Sequence, residues 1–318
     1  MRKRNMKKWW IACATLVCVL SAQGQAVRQT YLYAVKGADS LYLDRYEAVP
    51  AVSGARPCMI FVFGGGFVDG TRDDARYVPF FEYMAAKGIT VVSIDYRLGL
   101  REVIASGDFS AGHVVGAFMR TVALATEDLY DATAYVLANA ERWRVNPACI
   151  VACGSSAGAV TVLHGELGLC NRIDAAARLP ESFDYAGVIS FAGAVFYPGE
   201  ELRWNRRPAP IQLFHGDADA NVPYGAVREQ GMGFFGSEYI AAQLTALGAP
   251  HYFYSATDAD HRMAVDPMEE NRYEIDAFLQ KLVFGREPLI VDTRVSRIGA
   301  PVLPKDFTIA DYIQSNFR

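Results

Sequence analysis

The chain has 318 residues, 52% of them hydrophobic, which is enough for one large α/β domain or two small ones. Its formal charge is −4; setting aside the five basic residues of the first 26 leaves 26 basic against 35 acidic residues, or −9. No basic cluster remains after that, which argues against a nucleic-acid partner.

Residues 1–26 read as a secretory signal. Arg2, Lys3, Arg4, Lys7 and Lys8 form a cationic start, Trp9 to Leu20 an apolar core, and Ser21 to Ala26 a small-residue end with Gly24 and Ala26 at cleavage positions. The core is short for a bilayer, and no later stretch reaches the roughly 18 apolar residues of a membrane span. The expectation is a periplasmic or secreted chain without stable membrane insertion; an uncleaved anchor is the alternative. The mature chain keeps Cys58, Cys149, Cys153 and Cys170. Export permits disulfides, but Cys58, Cys149 and Cys153 sit in or beside apolar runs, where a thiol acts as a small buried hydrophobe. Free thiols are expected. Their spacing is not that of a zinc site, and no metal or cofactor is called for.

Along the chain, Tyr31–Val35 and Leu41–Tyr46 alternate apolar and polar around Lys36-Gly37-Ala38-Asp39, the pattern of a hairpin. Cys58–Phe63 and Ile89–Ile94 are continuous apolar runs, as in strands buried on both faces. Pro79–Lys87 reads as a helix, Gly99–Arg120 as an irregular excursion, and Val122–Arg142 as a helix with a polar face. Cys149–Cys153 is the next strand. Tyr185–Val195 and Ile211–Phe214 follow as strands, then a helix over Glu238–Leu247, a final strand over His251–Ser255 and a final helix over Glu269–Val283. This alternation implies a mostly parallel sheet with right-handed crossovers. Residues 27–285 form the expected domain, and 286–318 an extension packed on it, with a short helical candidate over Ile309–Ser315.

The chemistry gathers around Gly154-Ser155-Ser156-Ala157-Gly158. It lies where an apolar strand turns into an Ala/Val-rich helix, so Gly154-x-Ser156-x-Gly158 matches a nucleophile elbow. The glycines let strand and helix backbones nearly touch, and Ser156 is left at the tip of the turn. In an open parallel sheet, functional groups collect beyond the carboxyl ends of the strands. Beyond Phe63 come Gly64, Gly65 and Gly66, whose N–H groups can crowd a developing oxyanion; the Ala157 N–H would be their partner donor. Beyond Phe214, Asp217 and Asp219 compete as the orienting acid. Asp217 follows the turn glycine and reads as turn-stabilising, so Asp219 is preferred. Beyond Ser255, His261 satisfies the order Ser, Asp, His. His113 lies in the irregular excursion, His164 on the helix after the elbow, His215 against the acid loop and His251 at a strand start; none of them fits that order.

With Phe63-Gly64-Gly65-Gly66-Phe67, Asp95-Tyr96-Arg97-Leu98, the Ser156 elbow, His215-Gly216-Asp217-Ala218-Asp219 and His261 in sequence, the chain resembles the α/β-hydrolases. It is most similar to their esterase/lipase branch, which includes carboxylesterase-like and polysaccharide-associated esterases. Glu127-Asp128, Trp143 and Asn146-Pro147 before the elbow are also similar to that branch. The resemblance covers about residues 30–282. It implies an α/β-hydrolase fold with an N-terminal antiparallel hairpin, Ser156 as nucleophile, Asp219 as acid, His261 as base, and Gly65, Gly66 and Ala157 as oxyanion donors. It also implies a small-molecule or glycan-linked ester substrate, with acetyl or feruloyl groups on carbohydrate as the guess. A serine peptidase, a lipase and a non-catalytic binding protein on the same scaffold are the rival readings. Two departures stand out: Phe63 where the family often has His, and Ser155 where Glu or Asp is commoner. Aromatics such as Tyr77, Phe109, Phe118, Phe196, Tyr197, Trp204, Phe234 and Phe235 are candidates for the pocket wall.

Overall fold

The computed structural model describes residues 26–49, 54–108, 110–229 and 231–308. Almost all of the expected signal, the helical candidate at Ile309–Ser315 and the ring of Phe109 lie outside the described residues.

The chain opens with strands β1 (Ala26–Lys36) and β2 (Asp39–Ala48), an antiparallel hairpin turning at Gly37, whose φ of +62° suits glycine. β3 (Arg56–Val62) and β4 (Thr90–Ile94) are parallel neighbours joined through helix α1 (Val78–Ala86). Their interiors are fully buried, as continuous apolar runs require. After β4 the chain is more regular than expected. α2 (Arg101–Ser106) and α3 (Ala111–Ala138) occupy much of the stretch 99–120 read as irregular. Gly112 and Gly116 weaken the helical signal there, but Val114, Ala117 and Phe118 are buried on one face, and that packing carries the helix.

A short turn, α4 (Ala140–Trp143), leads into β5 (Val145–Ser155), and the elbow leads into α5 (Ala157–Asn171), both heavily buried. The segment 185–195, expected as one strand, is two. β6 (Gly187–Phe191) joins the main sheet; β7 (Ala194–Pro198) leaves it, and the break comes at Ala192, with φ of +54°. β8 (Ile211–Gly216) follows in the main sheet. β10 (Met232–Gly236) then pairs on one side with β7 and on the other with β9 (Ala226–Glu229), in a small antiparallel sheet that the sequence did not suggest. α6 (Ser237–Ala246) leads to β11 (His251–Thr257), after which α7 (Pro267–Glu270), α8 (Arg272–Ala277) and a π-helical stretch to Phe284 take the place of one continuous helix.

β11 is not the last strand. β12 (Ile290–Ser296) pairs with it in parallel over seven residues, so residues 286–308 extend the sheet as well as packing on it. Among the described residues the main sheet has nine strands in the order β1-β2-β4-β3-β5-β6-β8-β11-β12, antiparallel at β1–β2 and β2–β4 and parallel from there on. The core fills both faces of this sheet. No helix among the described residues is long and apolar enough to cross a membrane. The four cysteines are free, three of them buried and Cys149 half-buried. Burial pushes the Cys58, Cys153 and Cys170 thiols up in pKa and away from reactive thiolate.

Candidate active site

Strand β5 delivers the elbow to the carboxyl end of the sheet. Ser156 sits at φ 51° and ψ −117°, a conformation that a non-glycine residue holds only under the constraint of its surroundings. The flanking glycines make that constraint possible. A Cβ on Gly154 would lie 2.2 Å from the Gly158 carbonyl oxygen, and one on Gly158 would lie 2.0 Å from the Val62 carbonyl oxygen of β3. The Ser156 N–H is tied to the Phe191 carbonyl of β6 at 2.9 Å. The serine is therefore fixed from both neighbouring strands.

The loops after β8 and β11 meet above it. His261 Nε2 lies 2.8 Å from Ser156 Oγ, and His261 Nδ1 lies 2.7 Å from Asp219 Oδ2. An ionised carboxylate can only accept, so His261 carries its proton on Nδ1 and offers a bare Nε2 to the serine hydroxyl. Asp219 is buried, and its other oxygen accepts the N–H groups of Asn221 at 2.8 Å and Val222 at 2.9 Å. A second imidazole faces it, with His215 Nε2 3.2 Å from Oδ2. Burial alone would push this carboxyl up; the His261 and His215 imidazoles outweigh it and hold Asp219 well below the ordinary carboxylate range. Asp219 is thus locked as a fixed negative charge behind His261. His215 itself is buried and hydrogen-bonds the Ser237 hydroxyl at 2.8 Å, the loop-packing role expected of it. Asp217 accepts the Asp258 N–H at 2.7 Å and so stabilises the turn. Its carboxylate has a further partner in the tail, described below.

The glycine loop after β3 packs directly on the elbow: a Cβ on Gly64 would lie 3.1 Å from Ser156 Cβ. Gly65 and Gly66 take φ values of +134° and +61°, open to glycine and strained for other residues. Ala157 opens α5, so its N–H is among the first four that no intrahelical carbonyl satisfies. The three expected donors therefore come from two segments that meet at the serine. The Asp95-Tyr96-Arg97-Leu98 motif supports this loop. The Tyr96 hydroxyl donates to the Phe63 carbonyl at 2.9 Å, and Arg97 grips Asp128 of α3 through Nε at 2.9 Å and a terminal nitrogen at 2.8 Å. Phe63 is buried against Tyr96, ring centroids 4.6 Å apart, and an apolar stack stands where a histidine is common.

One supporting network had no signal in the sequence. The Gly64 N–H donates to the Tyr77 hydroxyl at 3.2 Å, Tyr77 to Ser155 Oγ at 3.2 Å, and Ser155 to the Ala264 carbonyl at 2.8 Å. This buried relay joins the glycine loop, the elbow and the short turn that begins at His261. Tyr77 is therefore a core residue and not part of a pocket wall; Phe235 is likewise buried and stacks on Tyr239. Ser155 fills the place of the commoner acid with a neutral hydroxyl that ties the histidine turn down.

Two concavities open at this end of the sheet. One, about 490 Å³, lies on the outer side of His261 and is lined by Asn221, Asp260, Arg262 and Asp266, polar throughout apart from Ala220. The other is small and wholly apolar, enclosed by the first turns of α3 with Phe196, Phe234 and Phe307. A larger cavity of about 790 Å³ lies at the opposite rim, among Pro147, Pro210, Pro250 and Pro288, each at or just before a strand start. Chemistry in open α/β sheets belongs to the carboxyl rim, and the Ser156–His261–Asp219 line is there.

A profile of the carboxylesterase family matches residues 12–164. The chain is 33% identical over 129 residues to carboxylesterase 5A of Ovis aries and 31% identical over 123 residues to a fumonisin B1 esterase of Sphingopyxis macrogoltabida. These matches cover 39% and 38% of this chain and only 30% and 22% of those relatives. Among solved structures, the apo form of Thermogutta terrifontis esterase 2 superposes with a TM-score of 0.60 at 22% identity, over 81% of this chain and 95% of that one. Its propionate-bound form gives 0.59 at 21% identity over the same shares. The chain has the α/β-hydrolase fold, and over residues 12–164 it is similar to carboxylesterases. The family profile ends in α5, eight residues past Ser156, and so takes in the glycine loop and the elbow. Asp219 and His261 lie beyond it, and the α/β-hydrolase fold itself brings them back to the serine.

Proposed function

We propose that this chain hydrolyses carboxylic esters through an acyl-enzyme, with Ser156 as nucleophile, His261 as base and Asp219 as the acid that orients it. The reading rests on the continuous line from Asp219 Oδ2 to His261 at 2.7 Å and from His261 to Ser156 Oγ at 2.8 Å, with the serine held at positive φ. His261 takes the hydroxyl proton as Oγ attacks the ester carbonyl, and the imidazolium is stabilised by Asp219. The oxyanion is received by the N–H groups of Gly65, Gly66 and Ala157. His261 then returns the proton to the departing alkoxide, which leaves as the alcohol. Water attacks the acyl-enzyme by the same route, His261 taking its proton, and the carboxylic acid is released with Ser156 restored.

Because His261 protonates the leaving oxygen, the alcohol sits on the His261 side of the serine. That side opens on the polar depression of Asn221, Asp260, Arg262 and Asp266, which suits a hydroxyl-rich alcohol. Together with the export signal, this supports an ester carried on carbohydrate, acetyl or feruloyl, met outside the cytoplasm. The test is labelling by a fluorophosphonate probe and turnover of p-nitrophenyl acetate, with release of acetate or ferulate from decorated glycans as the finer assay. Ser156→Ala should abolish labelling and lower kcat by roughly 10³-fold or more. Undiminished turnover in that variant would overturn the assignment. Cell fractionation tests export.

A further inference from the structure

The tail after β12 returns over the carboxyl rim of the sheet. Lys305 Nζ lies 2.9 Å from Asp217 Oδ2 and 3.2 Å from Asp258 Oδ1, and the Leu303 N–H donates to the same Asp258 oxygen at 3.4 Å. Asp217 is two residues before Asp219, and Asp258 is three before His261. One ammonium therefore bridges the loop of the acid and the loop of the base. The two loops also touch directly. The Asp258 N–H donates to Asp217 Oδ1 at 2.7 Å, and the Ala218 N–H to the Ala259 carbonyl at 3.1 Å. A Cβ on Gly216 would lie 2.1 Å from that same carbonyl oxygen, so the join is tight. Such close contact sets two carboxylates side by side, each largely shielded from water, at 19% and 18% side-chain exposure. Like charges so placed repel. Among the described residues, Lys305 is the one cation that pairs with either of them. Asp258 also holds a φ of +55°, a conformation that aspartate tolerates only at some strain.

We infer that Lys305 is a positioning residue for the triad: by neutralising Asp217 and Asp258 together it keeps the base loop seated on the acid loop, and His261 in line between Asp219 and Ser156. This rests on the ester-hydrolase reading above. Without the ammonium, the two carboxylates push apart, and the strained backbone of Asp258 gives them a way to do so. Rotation of Asp258 out of its positive φ takes its N–H off Asp217 and moves the short link that leads to His261. The imidazole is aligned by one contact on each side, at 2.7 Å to Asp219 and 2.8 Å to Ser156, so a shift of that link is felt at the proton being transferred. Misplacement of a catalytic group by about 1 Å costs on the order of 100-fold in rate. An exposed ion pair that adds little to global stability therefore still matters to alignment. Lys305 pairs with the loops and not with the reacting atoms, so its removal acts on kcat and leaves KM nearly as it was.

The experiment uses the full chain and p-nitrophenyl acetate, with kcat and KM measured at low salt and at 1 M NaCl. At low salt Lys305→Ala should lower kcat by about fivefold, with KM within about twofold of the wild type. Two rescues separate charge from packing. In 1 M salt the screening length falls to about 3 Å, which weakens the repulsion between the carboxylates. Salt should therefore raise kcat of Lys305→Ala toward the wild type, while the wild type, whose ion pairs weaken, stays level or falls. Asp258→Asn, added to Lys305→Ala, removes the repulsion, tolerates positive φ and still offers an oxygen to the Leu303 N–H; it should restore kcat at low salt to within about twofold of the wild type. Lys305→Gln carries the same comparison if a thermal melt shows that Lys305→Ala does not fold. A kcat unchanged at low salt, or a loss that neither salt nor Asp258→Asn repairs, would overturn the positioning role while Ser156-dependent turnover in the wild type leaves the ester-hydrolase reading standing. No Ser156-dependent turnover in the wild type would overturn both.

Discussion

Tyr77 carries one hydroxyl that answers to two separate parts of the site. It accepts from Gly64 and donates to Ser155, both at 3.2 Å, and Ser155 in turn donates to the Ala264 carbonyl at 2.8 Å. Tyr77→Phe keeps the buried ring and its contact with Phe61, centroids 4.9 Å apart, but leaves the Gly64 N–H without its acceptor. The expected cost is about 1–2 kcal/mol of stability, from an unsatisfied buried donor. The more telling outcome is kinetic. The loop bearing Gly65 and Gly66 loses its anchor to the elbow, so kcat should fall about tenfold while KM changes little, because the oxyanion is held only as the carbonyl is attacked. Urea unfolding and steady-state kinetics on p-nitrophenyl acetate check the two halves separately; a loss of stability without a loss of kcat would make Tyr77 a packing residue only. Such a relay was beyond a reading of the sequence because its partners are 78 and 109 residues apart along the chain. Ser156, Asp219 and His261 were legible for the opposite reason: each follows its own strand, and the turn at Ser156 forces glycine on both sides.

Helix α5 and strand β7 meet at His164, where the imidazole Nε2 accepts the Phe196 N–H at 3.1 Å. Burial lowers the pKa of this histidine from its ordinary 6.5 to about 4. The folded state thus refuses a proton that the unfolded chain accepts, and protonation would also break the bond to Phe196. Between about pH 6.5 and 4 the unfolded state binds more protons, so stability falls as pH falls through that window. With allowance for the part of the ring that reaches solvent, the loss is about 2 kcal/mol. Asp219, whose pKa is depressed, contributes stability that is lost only at lower pH, below the ordinary carboxylate value, so the two windows are distinct. His164→Gln keeps an acceptor for Phe196 and cannot titrate. Urea midpoints at pH 7 and pH 4.5 should converge in that variant relative to the wild type, and an equal slope in both would remove His164 as the cause. At this scale the sequence was clear for the buried parallel strands β3, β4, β5, β6 and β8, whose cores are continuous apolar runs. It ran the start of β7 into one longer strand, because nothing announced the turn at Ala192, and it was silent for the pairing of β9 and β10.

The whole molecule is closed at one edge by β12, a strand whose alternating exposed and half-buried residues gave only a faint signal in a proline-containing tail. It nonetheless covers β11 along seven register pairs, from His251 with Ile290 to Thr257 with Ser296. Without it, His251-Tyr252-Phe253-Tyr254 would become a long aromatic edge strand with unpaired backbone groups, a template for intermolecular pairing. Two truncations separate this structural role from that of the segment after β12. A chain ending at Gly285 loses both, and its melting temperature should drop by about 5 °C or more, with aggregation on heating, since each lost kcal/mol costs roughly 2–4 °C in a chain somewhat smaller than this one. A chain ending at Ser296 keeps every pair of β12 with β11 and loses only the segment that bridges Asp217 and Asp258 and reaches the apolar cavity. It should melt within a few degrees of the full chain, because the ion pairs it gives up are made by an exposed lysine and add little to stability. Differential scanning calorimetry on the two truncated chains and the full chain makes the comparison. If the chain ending at Gly285 melts like the chain ending at Ser296, the strand does not guard the edge.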